Sequence, residues 1–190
     1  MNLQHPHRIA LCPVGEIDFL LIQAVSEEIE KVFGLPTERL SLLGTLAFAY
    51  DASRDQYHST LILEKLSAEV SDPFLKILAI VQVDLFIPIL TYVYGEALLG
   101  GKSCIVSTCR LKTGRFLSDN PKVFQDRVVK EAIHELGHTF DLRHCRERTC
   151  IMHYCRTLED VDAKSEHLCR YCRVMLSDAL KKEHQRQTDL

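Results

Sequence analysis

Apolar positions along the chain change period several times, and each change marks an element. Arg8-Ile9-Ala10-Leu11-Cys12-Pro13-Val14 is a short apolar run ended by Pro and Gly, the signature of a first strand. From Ile17 onward Phe19, Leu20, Ile22, Val25, Ile29, Val32 and Phe33 recur at helical spacing, and Gly34-Leu35-Pro36 stops that helix. A strand is expected within residues 40–50 and a second, shorter helix over 59–66. Residues 75–86 are rich in Ile, Val and Leu, as in a strand buried on both faces. Tyr92-Val93-Tyr94 and Ser103-Cys104-Ile105-Val106-Ser107 flank the turn-forming Gly100-Gly101 and predict one or two further strands at a sheet edge. Asn120 then caps a long helix that Pro121 opens, with Phe124, Val128, Val129, Ile133, Leu136 and Phe140 on its apolar side. A last helix is expected over 168–182, after a cysteine-rich loop. The order predicts an α/β or α+β fold, with residues 1–190 forming a single domain.

Composition narrows the function. With 190 residues, 46% of them hydrophobic and 26% charged, the chain has enough apolar material for a real core. A net charge of -3 gives no electrostatic reason to expect nucleic acid or an anionic membrane as partner. The longest apolar stretch, residues 74–99, is broken by Lys76, Gln82, Asp84, Pro88, Gly95 and Glu96, so no membrane helix is expected. The polar start Met1-Asn2-Leu3-Gln4-His5-Pro6-His7 lacks the pattern of an export signal. A soluble, cytoplasmic monomer is the expectation. Cysteines clustered in such a protein mark a metal site more often than disulfides, and five of the eight fall between Cys145 and Cys172.

The chemistry is concentrated in the long helix. His134-Glu135-Leu136-Gly137-His138 puts two imidazoles four residues apart, on one helix face, where they can converge on one zinc ion. Glu135 adjoins the first ligand and can take a proton from water at the metal. A third ligand is needed. Asp141 lies seven residues beyond His134, which in a continuing helix is about 10 Å along the axis and too far to share the ion. His144 serves if the helix ends near Asp141 and the chain turns back. Five residues separate His138 from His144, the extended metzincin spacing, although metzincins have Gly where this chain has Asp141. Asp tolerates the left-handed backbone of that turn better than most non-glycine residues.

Cys145 follows the third histidine directly, Cys150 comes next, and Cys169-Arg170-Tyr171-Cys172 is a Cys-x-x-Cys knuckle. Two short-spaced pairs of thiolates suit a closed, tetrahedral structural zinc site, with free buried thiols or a redox pair at Cys169 and Cys172 as the alternatives. Taken in order, His-Glu-x-x-His, His144-Cys145, Cys150-x-Met152 and Cys169-x-x-Cys172 resemble the archaemetzincin family of zinc metallopeptidases.

The resemblance implies a minimal metzincin catalytic domain, with a twisted, mainly parallel sheet, an antiparallel edge strand, an active-site helix and a C-terminal helix. It implies a catalytic zinc at His134, His138 and His144 with Glu135 as general base. It also implies a structural zinc at Cys145, Cys150, Cys169 and Cys172, and a Met-turn at Met152. The substrate would be a peptide or protein. Ile151-Met152-His153-Tyr154 is also similar to the Met-turn of astacins, whose tyrosine can approach the zinc; core packing is the simpler expectation for Tyr154. Cys155 is expected to be a spare thiol, while Asp162 and Lys164 suggest no chemistry. His5, His7, His58 and His153 lack metal-like spacing with the motif. A peptide- or zinc-binding protein with vestigial activity and a cysteine-based sensor are the rival readings, and neither needs a general base such as Glu135.

Overall fold

The computed structural model describes residues 7–69, 74–112 and 120–188. The polar N-terminal hexapeptide, with His5, lies outside the described residues. Strand β1 (Arg8–Pro13) leads into helix α1 (Phe19–Phe33), which Asp18 caps by accepting the Leu20 N–H at 2.8 Å. Leu21, Ile22, Val25, Ile29 and Phe33 form its buried face, while Phe19 and Leu20, expected inside, are exposed on the first turn.

After strand β2 (Thr37–Arg39) the chain departs from expectation. Residues 40–46 form no strand; a short 3₁₀ turn and strand β3 (Tyr50–Asp51) follow. Leu43, Leu46 and Ala49 are nevertheless buried, so this apolar run covers the core without joining the main sheet. Strand β4 (Gln56–His58) runs directly into helix α2 (Ser59–Glu69). The run expected as one long strand is two: β5 (Phe74–Val81) and β6 (Leu85–Phe86). The break falls at Asp84, whose carboxylate is taken by Arg110 at 2.6 Å and Gln56 at 2.9 Å. Strand β7 (Gly95–Ala97) begins just past the expected Tyr92–Tyr94 segment, and β8 (Ser103–Ser107) follows. Helices α3 (Pro121–Thr139), α4 (Leu158–Ala163) and α5 (Arg170–Thr188) complete the chain. The short α4 has no counterpart in the expectations.

The main sheet has the order β2-β1-β5-β8-β7, parallel except for the antiparallel edge strand β7. A smaller sheet, β3-β4-β6, lies beside it. Alternation along the central strands sorts the core. Ile9, Leu11, Leu78, Ile80, Cys104 and Val106 pack with α1, α3 and α5, whereas Ala10, Cys12, Ile77, Ala79 and Ile105 pack with α2. Helix α3 is thereby laid against the sheet, and its end points to the edge beside β7. Among the described residues no helix is long and apolar enough to cross a membrane.

Candidate active site

Helix α3 starts where Asn120 accepts the Lys122 N–H at 3.0 Å, with Pro121 in its first turn. It ends through a device that returns the chain. Asp141 is left-handed, at φ 63°, its N–H bonds the His138 carbonyl at 2.9 Å, and the Leu142 N–H bonds that of Gly137 at 3.2 Å. Two groups from elsewhere complete the helix end: Gly100 N–H is a second donor to the His138 carbonyl at 2.9 Å, and the buried Lys76 ammonium donates to that of Thr139 at 2.8 Å. The turn brings His144 back beside the helix, so one donor atom from each of His134, His138 and His144 lies within 4.8 Å of the others.

The imidazoles are oriented through their outer nitrogens. His134 Nδ1 lies 2.9 Å from the Ile151 carbonyl and His138 Nδ1 2.6 Å from that of Leu142. A carbonyl only accepts, so each Nδ1 carries the proton and each Nε2 presents a bare lone pair. Those two Nε2 atoms face one another at 3.1 Å. Opposed lone pairs repel unless a cation lies between them, and a tetrahedral zinc holds its nitrogens roughly 3.3–3.4 Å apart. Burial depresses all three imidazoles, His134 well below the usual range and His138 to about 4, so each is a neutral ligand at pH 7. The donor set fits zinc.

A cleft of about 770 Å³ opens over these histidines. Glu135 lines it, with its side chain against β7. Burial, and next the neighbouring Glu131 carboxylate, push the Glu135 carboxyl well above the usual carboxylate range, against the pull of Lys164. Gly95 permits the close approach: a Cβ there would lie 2.6 Å from Glu135 Cγ and 2.6 Å from the Ile105 carbonyl oxygen. Gly137 plays the same part below, since its Cβ would meet Met152 Sδ at 2.6 Å. Met152 is fully buried in a tight turn closed by His153 N–H on the Cys150 carbonyl at 2.8 Å. The preceding Ile151 carbonyl is the one that orients His134.

Cys145, Cys150, Cys169 and Cys172 bring their sulfurs within 4.8 Å of one another. Cys145 and Cys169 Sγ are 3.8 Å apart, close to the roughly 3.7–3.8 Å that a tetrahedral zinc sets between its thiolates. The Cys169 N–H points at Cys150 Sγ from 3.3 Å and that of Cys172 at Cys169 Sγ from 3.4 Å, donors suited to thiolates. These residues fit a second zinc. Cys155 stands apart, 3.5 Å from the His153 carbonyl and on the cleft wall. His153 itself bonds the Cys145 carbonyl at 2.9 Å.

Three residues acquire roles that spacing did not reveal. Tyr154, expected in the core, is 43% exposed in the cleft, its ring centre 4.9 Å from that of His144. Asp162 holds Arg127 of α3 at 2.7 Å, and the fully buried Lys164 holds Glu131 at 2.6 Å. Both pairs tie α4 and its C-cap to the helix carrying His134. Charged residues recurring just past a metal loop were the available signal, but their partners lie far back in sequence.

The model of peptidase family M54 matches residues 21–178. An archaemetzincin from Methanocaldococcus jannaschii is 36% identical over 172 residues, covering 90% of this chain and 93% of its own. The solved archaemetzincin of Methanopyrus kandleri superposes with a TM-score of 0.81 at 32% identity, covering 95% of this chain and 99% of that one. A zinc-dependent peptidase from Methanocorpusculum labreanum gives 0.78 at 31%, over 88% and 99% of the two chains.

Proposed function

This chain belongs to peptidase family M54, the archaemetzincins, and is a zinc metallopeptidase; from that premise we propose that Glu135 is its general base, beside a catalytic zinc held by His134, His138 and His144. In the same reading Cys145, Cys150, Cys169 and Cys172 hold a structural zinc, and residues 1–190 act as one catalytic domain, a monomer in the cytoplasm. The observation that carries the proposal is the pair of Nε2 lone pairs, fixed by carbonyls at Nδ1 and converging with His144 on the cleft that Glu135 lines.

Zinc, when bound, supplies Lewis acidity, polarising the scissile carbonyl and lowering the pKa of a water towards ~7. Glu135 takes the proton of that water on its carboxylate and delivers it to the departing amine. The carbonyls of Ile151 and Leu142 keep the two helix imidazoles in one tautomer and orientation throughout. Among the described residues strand β7 pairs with β8 alone, and Gly95, Glu96 and Ala97 line the cleft, so an extended peptide can add along its other edge. Tyr154, beside His144, is the candidate donor to the carbonyl oxygen as charge develops there.

The Glu135→Ala variant should keep two zincs by elemental analysis and lose peptide turnover by about 10²–10⁴-fold. His138→Ala should lose the cleft zinc as well as turnover, because two imidazoles hold zinc poorly at an open site. Wild-type rates in Glu135→Ala would remove the general-base assignment.

A further inference from the structure

The two walls of the cleft differ in charge. The segments after β6 and β7 contribute Leu90 and Leu99, while the loops after α3 contribute Arg143 and Arg156. Three carboxylates also reach the cleft, and each already has an occupation. Glu96 accepts the hydroxyls of Ser59 and Thr60, Glu131 is paired with buried Lys164, and Glu135 is the proposed base. Among the described residues the arginines paired with a carboxylate are Arg8, Arg110 and Arg127. Arg143 and Arg156 are not among them, and both are exposed.

Their placement is defined by the zinc site. Arg143 immediately precedes His144, and the His144 ring centre is 4.9 Å from that of Tyr154. The Arg156 guanidinium carbon lies 5.7 Å from the same Tyr154 ring, within cation–π range. Arg143, His144, Tyr154 and Arg156 therefore share one stretch of the cleft wall, with a candidate metal ligand among them. Both arginines thus line the cleft, Arg143 next in sequence to the candidate ligand His144 and Arg156 beside the ring of Tyr154 that neighbours it. A guanidinium carries a planar fork of donors matched to a carboxylate, and no side-chain carboxylate of the cleft has claimed either one.

We propose that this wall is a carboxylate-recognition subsite, which selects peptides carrying an acidic side chain or a free C-terminal carboxylate close to the bond cleaved. The inference rests on the peptidase reading and sharpens it to a substrate class. The subsite is separate from the zinc ion, which can itself take a carboxylate: a preference made by the metal alone would survive loss of both arginines.

Matched peptides decide it, with Glu against Gln at successive positions around a cleavable bond, each with a free or an amidated C-terminus. Binding is read by calorimetry on zinc-loaded Glu135→Ala protein, and kcat/KM for the same peptides on the wild type. The carboxylate peptide should bind about fivefold tighter than its neutral partner at low salt. The difference should nearly vanish at about 0.5 M salt, where the Debye length is roughly 4 Å. Replacing both arginines, Arg143→Gln with Arg156→Gln, should abolish the preference while leaving zinc content and the affinity for the Gln peptide unchanged. A preference confined to Glu over Gln assigns the subsite to side chains, and one confined to the free terminus assigns it to the terminal carboxylate. Equal affinity for charged and neutral peptides overturns the proposal, as does a preference that persists in the double variant. Absence of turnover by the wild type would count against the peptidase reading alone, since the binding measurements still decide the subsite.

Discussion

His144 belongs to one cluster of metal-seeking side chains and Cys145 to the other, so two sites of different design are anchored on adjacent residues of one loop. The histidine cluster offers three neutral donors, opens on a cleft and has a carboxylate beside it that is not part of the donor set. The cysteine cluster offers four thiols, two of them fully buried, with backbone N–H groups aimed at the sulfurs and no general base among its members. Three ligands leave zinc a coordination position for chemistry, whereas four close it. On the proposed reading, that difference gives reactivity to the first site and architecture to the second. The loop then couples them: the Cys145 N–H holds the Met152 carbonyl at 2.8 Å, Met152 packs under Gly137, and Ile151 orients His134. Fixing the cysteines fixes the floor on which the histidines stand.

That division of labour can be attacked at each end. In the cysteine site, Cys172→Ser should release one zinc and lower the melting temperature by about 10 °C, because a structural zinc contributes folding free energy directly. Calorimetry with metal analysis reads both; a variant that keeps two zincs and the wild-type melting temperature would refute the four-cysteine assignment. Cys155 should not substitute, since its thiol sits on the cleft wall against the His153 carbonyl.

The supporting shell of the histidine site is the next target. Lys164→Met leaves the buried Glu131 without its cation and should cost about 3 kcal/mol by denaturant unfolding, as loss of one partner of a buried pair does. Adding Glu131→Gln should recover part of that loss. If Lys164→Met unfolds like the wild type, the pair is not what clamps α4 to α3.

The smallest effect is expected at the turn between the sites. Asp141→Gly should keep the cleft zinc and gain up to about 1 kcal/mol, because glycine enters the left-handed conformation without the strain of a Cβ. A loss of stability or of zinc would mean that the Asp141 side chain, and not its backbone, holds the turn.

Much of this arrangement is legible in the sequence because its causes are local. The His134–His138 spacing, the Asn120-Pro121 start and a residue tolerant of a left-handed turn at 141 all act within a few residues of one another. Helices α1, α3 and α5 and the first strand follow similarly from period and turn residues, whereas the antiparallel edge is implied only by the family resemblance. What spacing does not reveal depends on partners distant in the chain. Gly95 matters because Glu135 lies against it, and Lys164 because Glu131 does. Residues 40–46 mislead for another reason. Burial of Leu43 and Leu46 needs only an apolar side chain over the sheet, and sequence period alone does not distinguish that from a strand.

Stepwise removal of metal tests the central claim most directly. Purified two-zinc protein is titrated with a chelator while zinc content, peptide hydrolysis and circular dichroism are followed together. The account predicts that the open histidine site empties first, abolishing hydrolysis with the fold intact, and that loss of the second zinc then unfolds the region around α5. Hydrolysis that survives until the second zinc leaves, or unfolding that accompanies the first, would contradict the assignment of chemistry to the histidines and structure to the cysteines.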